Sequence, residues 1–321
     1  MRRLEEWMFA PGSARRLAAV RIGLCSLLAL RLARPVYVGL SGQPRALFRP
    51  VSFMHMFPGL PSRGPLIVLQ LLGVMAATLA AAGLRARVTL PVAWTCGLLL
   101  NAMLSSLGKI LHNDVVLLIC LVPLLVAPVA DAWSLDAIRK RRTRRGTGEG
   151  RDDPVSVAYG WPVRVAMLVV TGAYFFSGLG KVVFSGPSWV LSGNLRWILY
   201  TASDRSASPN VVALFVADRA WLAHIVAGAT LLLELTFPLV LWRKRLATFY
   251  VPATAGLHAG IWLTMNLDYS AWALSAVIVF VDWPWLVEWL RRGRLKGTPR
   301  ATTTIGEPAT LADAAADILY A

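Results

Sequence analysis

The chain has 321 residues, of which 56% are apolar and only 16% charged, and its mean hydropathy is +0.57. Soluble domains carry about a quarter charged residues, so a water-soluble globule is excluded. The formal charge of +16 would suit nucleic acid. However, the Lys and Arg residues sit in short connectors between apolar stretches, and no separate module is left to carry a basic face.

Residues 1–16 read as a basic cytoplasmic segment. No short apolar stretch with a small-residue cleavage site opens the chain, so the first apolar segment is expected to stay as an anchor. Apolar windows near 20 residues, each long enough to cross about 30 Å of hydrocarbon as a helix, place spans at 17–40, 65–84, 88–107, 114–130, 160–180, 220–242, 246–267 and 271–290. The fourth is short and carries Pro123 and Pro128. The eighth is interrupted at Asp282-Trp283-Pro284-Trp285, whose tryptophans suit the membrane interface.

Between the fourth and fifth spans, Arg139-Lys140-Arg141-Arg142, Arg144, Arg145 and Arg151 alternate with Gly146, Gly148 and Gly150. That composition predicts a flexible cytoplasmic linker over 139–159, basic enough to touch anionic headgroups. The extracytoplasmic loop 182–219 holds Gly186-Pro187, Trp189, Trp197 and Ser208-Pro209 and suits a lid or interfacial platform. The tail 291–321 is polar, with a short helix expected near Leu311–Leu319. Sorted on this layout, 21 Lys and Arg fall on the cytoplasmic side and 8 on the other, the bias expected of an even number of spans with both ends inside. The fold class is therefore an all-α integral membrane protein, a polytopic bundle of about eight transmembrane helices with both termini cytoplasmic.

Cys25, Cys96 and Cys120 all lie in apolar segments with neither metal-site nor redox-motif spacing, and no metal site is expected. Walker, dinucleotide, HExxH and Gly-x-Ser-x-Gly elements are missing from the sequence. The informative residues are the ionisable ones at membrane depth, because a charge in hydrocarbon costs several kcal/mol unless it is paired or hydrated. They are Arg21, Arg31, Arg34, Arg164, Lys181, Glu234 and His258, with His112, Asp114, His224 and Asp268 near span ends. Lys181 closes the stretch Tyr174-Phe175-Phe176-Ser177-Gly178-Leu179-Gly180-Lys181, in which the glycines permit close approach of a helix or a flat ligand. A lysine in a water-poor pocket is a usable base; the ordinary alternative is that it snorkels to headgroups. Glu234, mid-span, must be protonated or paired, with Arg164 or Arg21 as the expected partners. His112 and His258 are either structural hydrogen-bonders or members of one pocket with Lys181.

Several of these residues carry a family resemblance. Leu17-Ala18-Ala19-Val20-Arg21-Ile22-Gly23, His112-Asn113-Asp114, Trp133-Ser134-Leu135-Asp136, Arg164, Tyr174 through Lys181, Leu232-Leu233-Glu234-Leu235 and Leu257-His258 occur in this order. Together they resemble the horizontally transferred transmembrane (HTTM) family, whose best-known type is the vitamin K-dependent γ-glutamyl carboxylase, over about residues 15–285. The resemblance implies a lipid-soluble co-substrate, vitamin K hydroquinone or another quinol, with Lys181 as the base that deprotonates it. His112 and His258 would bond its ring oxygens. Tyr174, Gly178, Arg164 and Glu234 would line or stabilise its site. Gly180 stands where the carboxylases have the first of two lysines. No counterpart of the carboxylases' large lumenal β-rich part is expected, so carboxylation of protein glutamate is not simply carried over.

Two readings follow. In one, the chain is a carboxylase-like, quinol-dependent enzyme of a bacterial-type plasma membrane, with Lys181 at an extracytoplasmic-facing pocket and a small secreted peptide or a lipid-phase compound as substrate. In the other, it is a non-catalytic scaffold that handles lipid or peptide, and its buried charges are structural pairs.

Overall fold

In the computed structural model the described residues are 2–108, 112–143 and 153–296. They are almost wholly helical, with one two-residue strand pair. The chain divides into two compact units, Met1–Ala166 and Met167–Ala321.

The first unit opens with α1 (Arg2–Met8), followed by α2 (Ala14–Leu32), α3 (Arg63–Ala82), α4 (Ala86–Ser105), α5 (Val115–Val126), α6 (Leu135–Thr143) and the start of α7 (Val157–Ser185). Small residues set the packing of α3. Gly73, Ala76, Ala77 and Ala80 repeat at helical spacing on its buried face, and a Cβ on Gly73 would lie 2.9 Å from Cys96 Cβ. Such a stripe lets neighbouring backbones approach closely in the absence of a hydrophobic drive between helices. Cys25, Cys96 and Cys120 are buried free thiols.

The second unit continues α7 and adds α8 (Ser188–Leu191), α9 (Asn194–Asp204), α10 (Val211–Ala217), α11 (Ala220–Thr236), α12 (Leu239–Trp242), α13 (Ala247–Met265), α14 (Ser270–Phe280) and α15 (Trp283–Lys296). Leu199, Ala213 and Ala217 form a small core shared by α9 and α10. Asn210 caps α10 through the Ala213 N–H and donates to the Leu263 carbonyl of α13 at 2.8 Å.

Among the described residues, three helices are long and apolar enough to cross a bilayer: α3, α4 and α7. The number rises to five if the bent pairs α10–α11 (98°) and α14–α15 (70°) each count as one span. The protein is thus an all-helical chain with several apolar helices of membrane-crossing length, as in an integral membrane protein. The eight apolar windows of the sequence do not all become uninterrupted helices, and local chemistry explains the differences. The window 17–40 ends as a helix at Leu32, because Pro35 disfavours helical backbone at Arg34, and α2 also carries Arg15, Arg16, Arg21 and Arg31. Helix α5 spans only 12 residues and stops before Ala127-Pro128. Window 220–242 breaks after Thr236 at Phe237-Pro238. The eighth breaks at Val281-Asp282, where the sequence placed its interruption.

Two connectors differ from expectation. Arg139–Arg142 belong to helix α6, so the linker read at 139–159 is helical at its start. At its end, Val155 and Ser156 pair antiparallel with Gly12 and Ser13. The segment read as loop 182–219 is mostly helical, with α7 running one turn past Lys181. Lys109, Arg144, Arg145, Arg151 and the Leu311–Leu319 segment lie outside the described residues.

Candidate functional site

The site in the second unit starts from the periodicity of α7. Tyr174, Ser177, Gly178 and Lys181 sit at i, i+3, i+4 and i+7, one face of the helix. Gly178 is where α11 comes closest: an added Cβ would meet Glu234 Cβ at 2.9 Å and the Leu235 N at 3.1 Å. The absent side chain brings Glu234 against α7. Lys181 Nζ then donates to Glu234 Oε1 at 2.8 Å and Oε2 at 2.7 Å, and to Ser177 Oγ at 2.9 Å. An ammonium has three donors, and here all three are taken. Ser177 in turn donates to Glu234 Oε1 at 3.1 Å. The pair is sheltered, with 19% of the lysine side chain and 7% of the glutamate side chain exposed.

Trp189 completes the enclosure, its ring 5.3 Å from Nζ. The chain reaches it through a reversal at Gly186, whose φ of +55° is readily available only without a Cβ. The Gly186 N–H closes α7 on the Val182 carbonyl at 2.9 Å.

One turn before Ser177, the Tyr174 hydroxyl lies 2.9 Å from His258 Nε2. Tyr174 is buried and stacks on Phe237 with centroids 4.7 Å apart, while Trp272 meets it edge-on at 5.8 Å. Tyr269 and Trp272 flank His258 at 6.0 and 6.1 Å. His258 is 8% exposed, and its Nδ1 has no hydrogen-bond partner among the described residues. A buried polar atom left open is uncommon and calls for an explanation.

Of the residues singled out in the sequence, the second unit brings together Tyr174, Gly178, Lys181, Glu234 and His258. Arg164 and His112 belong to the first unit. The expected pairing of Glu234 with Arg164 or Arg21 is corrected: its partner is Lys181. The Arg164 guanidinium instead donates to the carbonyl oxygens of Met8, Ala10 and Pro11, tying the N-terminal segment to α7. Arg21 is fully buried and donates to the carbonyls of Ala81, Val129, Ala132 and Trp133. His112 sits in the turn before α5, where its carbonyl accepts from the Val115 N–H at 3.3 Å. Its neighbour Asp114 is bound by both Arg31 and Arg34.

Sequence reasoning missed Ser177 and Trp189 as members of the site. Ser177 was legible as the residue four before Lys181 on the same face. Trp189 depends on the Gly186-Pro187 reversal and left no periodic signal. Among the described residues, no three of His, Cys, Asp and Glu come together as a metal cluster.

Fold and site together define a helical, membrane-type protein with a sheltered lysine–carboxylate pair beside an aromatic-lined histidine. Comparison of the chain with protein-family models, with curated proteins and with solved structures finds no match in any of the three.

Proposed function

We propose that the chain is a multi-pass membrane protein of the HTTM type that moves a proton to or from the hydroxyl of a flat, lipid-soluble aromatic compound, a quinol being the class its sequence resemblance implies. The observation that carries this reading is the contiguous set of Lys181, Glu234, Ser177, Tyr174 and His258 in one sheltered place, with His258 Nδ1 open. The rings of Phe237, Trp272 and Tyr269 gathered around Tyr174 and His258 suit a flat aromatic partner. A ring oxygen suits the free histidine nitrogen. Next to Lys181 in the chain, a Cβ on Gly180 would meet nothing within 4 Å, so α7 has open space at that position.

The pair suits proton transfer because one proton can sit on either partner. Ammonium–carboxylate and amine–carboxylic acid have the same total charge, so the site holds either form without an uncompensated ion. Starting from the amine–acid form, Lys181 takes the proton of a substrate hydroxyl. The new ammonium then faces the charge left on that oxygen, and Glu234 stays protonated, so the site remains neutral overall. Ser177 bridges the two partners throughout, and Trp189 limits the water that would otherwise protonate the amine. A quinol, when bound, supplies a weakly acidic hydroxyl and two electrons available for oxidation. The eight-span layout with cytoplasmic termini belongs to this proposal and is supported by the distribution of Lys and Arg.

A second reading has its own observation. All three donors of Lys181 are satisfied within the protein and Gly178 is pressed on Glu234, as in a structural clamp between α7 and α11. The two part on one experiment: oxygen-dependent oxidation of a reduced naphthoquinone by purified protein, with Lys181→Ala and Lys181→Arg compared. Loss of turnover in both variants with the fold intact supports proton transfer. Arginine that sustains wild-type turnover would reject it, since a guanidinium can clamp a carboxylate but cannot serve as a base.

A further inference from the structure

A separate feature of the first unit has no part in the proton-transfer site. A cleft of about 400 Å³ opens beside α6, and its lining includes Arg15, Trp133, Leu135, Ile138, Arg141 and Asp153. We propose that this cleft binds the headgroup of an acidic phospholipid.

The chemistry of the lining points that way. Arg15 and Arg141 outnumber the one carboxylate of the lining, and a guanidinium such as that of Arg141 matches phosphate oxygens with paired donors. Asp153 is the acidic group among those residues, and its carboxylate is already engaged by the Ser13 hydroxyl and by the Arg15 N–H at 3.0 Å. The cleft therefore favours an anion. Leu135, Ile138 and Arg141 repeat at i, i+3 and i+6, so they share a face of α6. Leu135 and Ile138 are exposed at 42% and 49%, and Trp133 at 41%. Apolar groups on a helix face that ends in arginine describe an element lying in the interface, its apolar part among acyl chains and its charge at phosphate level. Tryptophan prefers the same depth. A free phosphate would leave those apolar side chains in water, and a nucleic acid would find them facing its backbone.

Trp133 adds an independent observation. Its φ is +43°, a left-handed conformation costly for a bulky residue. It is held there because its carbonyl accepts from Arg21 at 2.6 Å, and Ser134 next to it caps α6 through the Ala137 N–H at 2.9 Å. The strained turn fixes the indole at the rim of the cleft and sets the direction of α6.

The test uses the full chain in nanodiscs of phosphatidylcholine doped with phosphatidylglycerol, extracted into detergent and read by native mass spectrometry. Wild type is expected to retain phosphatidylglycerol in preference to phosphatidylcholine. Arg141→Gln should lower that retention about fivefold, the worth of one basic residue at a headgroup. Arg142→Gln removes the same charge from the neighbouring residue, which is not among the cleft residues, and should leave retention within about twofold. Equal losses in the two variants would replace the cleft by diffuse attraction and overturn the proposal. So would the absence of a lipid preference in wild type. Retention of free glycerol phosphate as strongly as the whole lipid would also overturn it, since the exposed Trp133, Leu135 and Ile138 would then contribute nothing.

Discussion

The two units bury charge in opposite ways. In the first, Arg21 is wired to backbone carbonyls at the C-terminal end of α3 and in the turn before α6, and Arg31 and Arg34 converge on Asp114, with Tyr37 beside it. These are guanidiniums, planar forks with five donors that keep their charge and fix geometry. In the second unit the sheltered cation is a lysine, and its partners are a carboxylate and a hydroxyl, with a histidine nearby. Each of those side chains can gain, lose or pass a proton. A chain that needed only to join helices could have used the arginine solution twice. Its use of exchangeable groups in one place is what the proposed proton transfer would require.

The sharpest way to break this contrast is at Arg21. Arg21→Ala leaves the carbonyls of Val129 and Trp133 without their close donor inside a packed core, each worth about 1–3 kcal/mol when orphaned. It also opens a cavity where a large, fully buried side chain stood. The expected total exceeds about 4 kcal/mol, so little monodisperse protein should survive size-exclusion chromatography in detergent, at any pH. Recovery of a stable Arg21→Ala protein would show that the first unit does not depend on this hub.

At the second cluster the expected effect is smaller and conditional. Lys181→Met strands a carboxylate that is 93% buried and should cost about 3 kcal/mol, as breaking a buried pair does. Removing both charges in Lys181→Met with Glu234→Leu should return most of that loss, because an apolar pair of similar size is often as stable as the ion pair. Thermal unfolding of the singles and the double gives the coupling directly. A double variant as unstable as the sum of the singles would mean that the two residues contribute separately. A stable double variant without turnover would place the pair's value in chemistry rather than in folding.

Much of this was readable in the sequence, unevenly. The helical class and the composition of each apolar window follow from hydropathy. The face shared by Tyr174, Ser177, Gly178 and Lys181 follows from helical spacing. The Trp133-Ser134-Leu135-Asp136 motif could be quoted but not explained. Its residues act across the chain: Ser134 caps α6, while Asp136 accepts the N–H groups of Arg85 and Ala86 at the start of α4. The partner of Glu234 was misjudged for the same reason. Candidate cations were visible at three positions, and only the close approach at Gly178 selects Lys181. Helix breaks at Pro35 and Phe237-Pro238 were legible as prolines, yet the 98° bend between α10 and α11 arises at Asp218-Arg219, where no proline or glycine announces it.

The smallest expected effect tests whether the second cluster is sheltered by design. Trp189 contributes one ring face to Lys181, a contact worth about 0.5–1 kcal/mol, and Trp189→Leu should therefore shift the unfolding midpoint only slightly. Its consequence for access should be larger. Lys181 keeps 19% of its side chain exposed, and the indole lies 5.3 Å from Nζ on a side that Glu234 and Ser177 do not occupy. Reductive methylation read by peptide mass spectrometry is expected to modify Lys181 several-fold faster in Trp189→Leu than in wild type, with Lys140 on the exposed helix α6 as the internal standard. Equal rates would mean that the carboxylate and hydroxyl shield the amine unaided. The tryptophan would then be a neighbour of the pair and not its cover, and water exclusion at Nζ would have to come from elsewhere on α7 and α11.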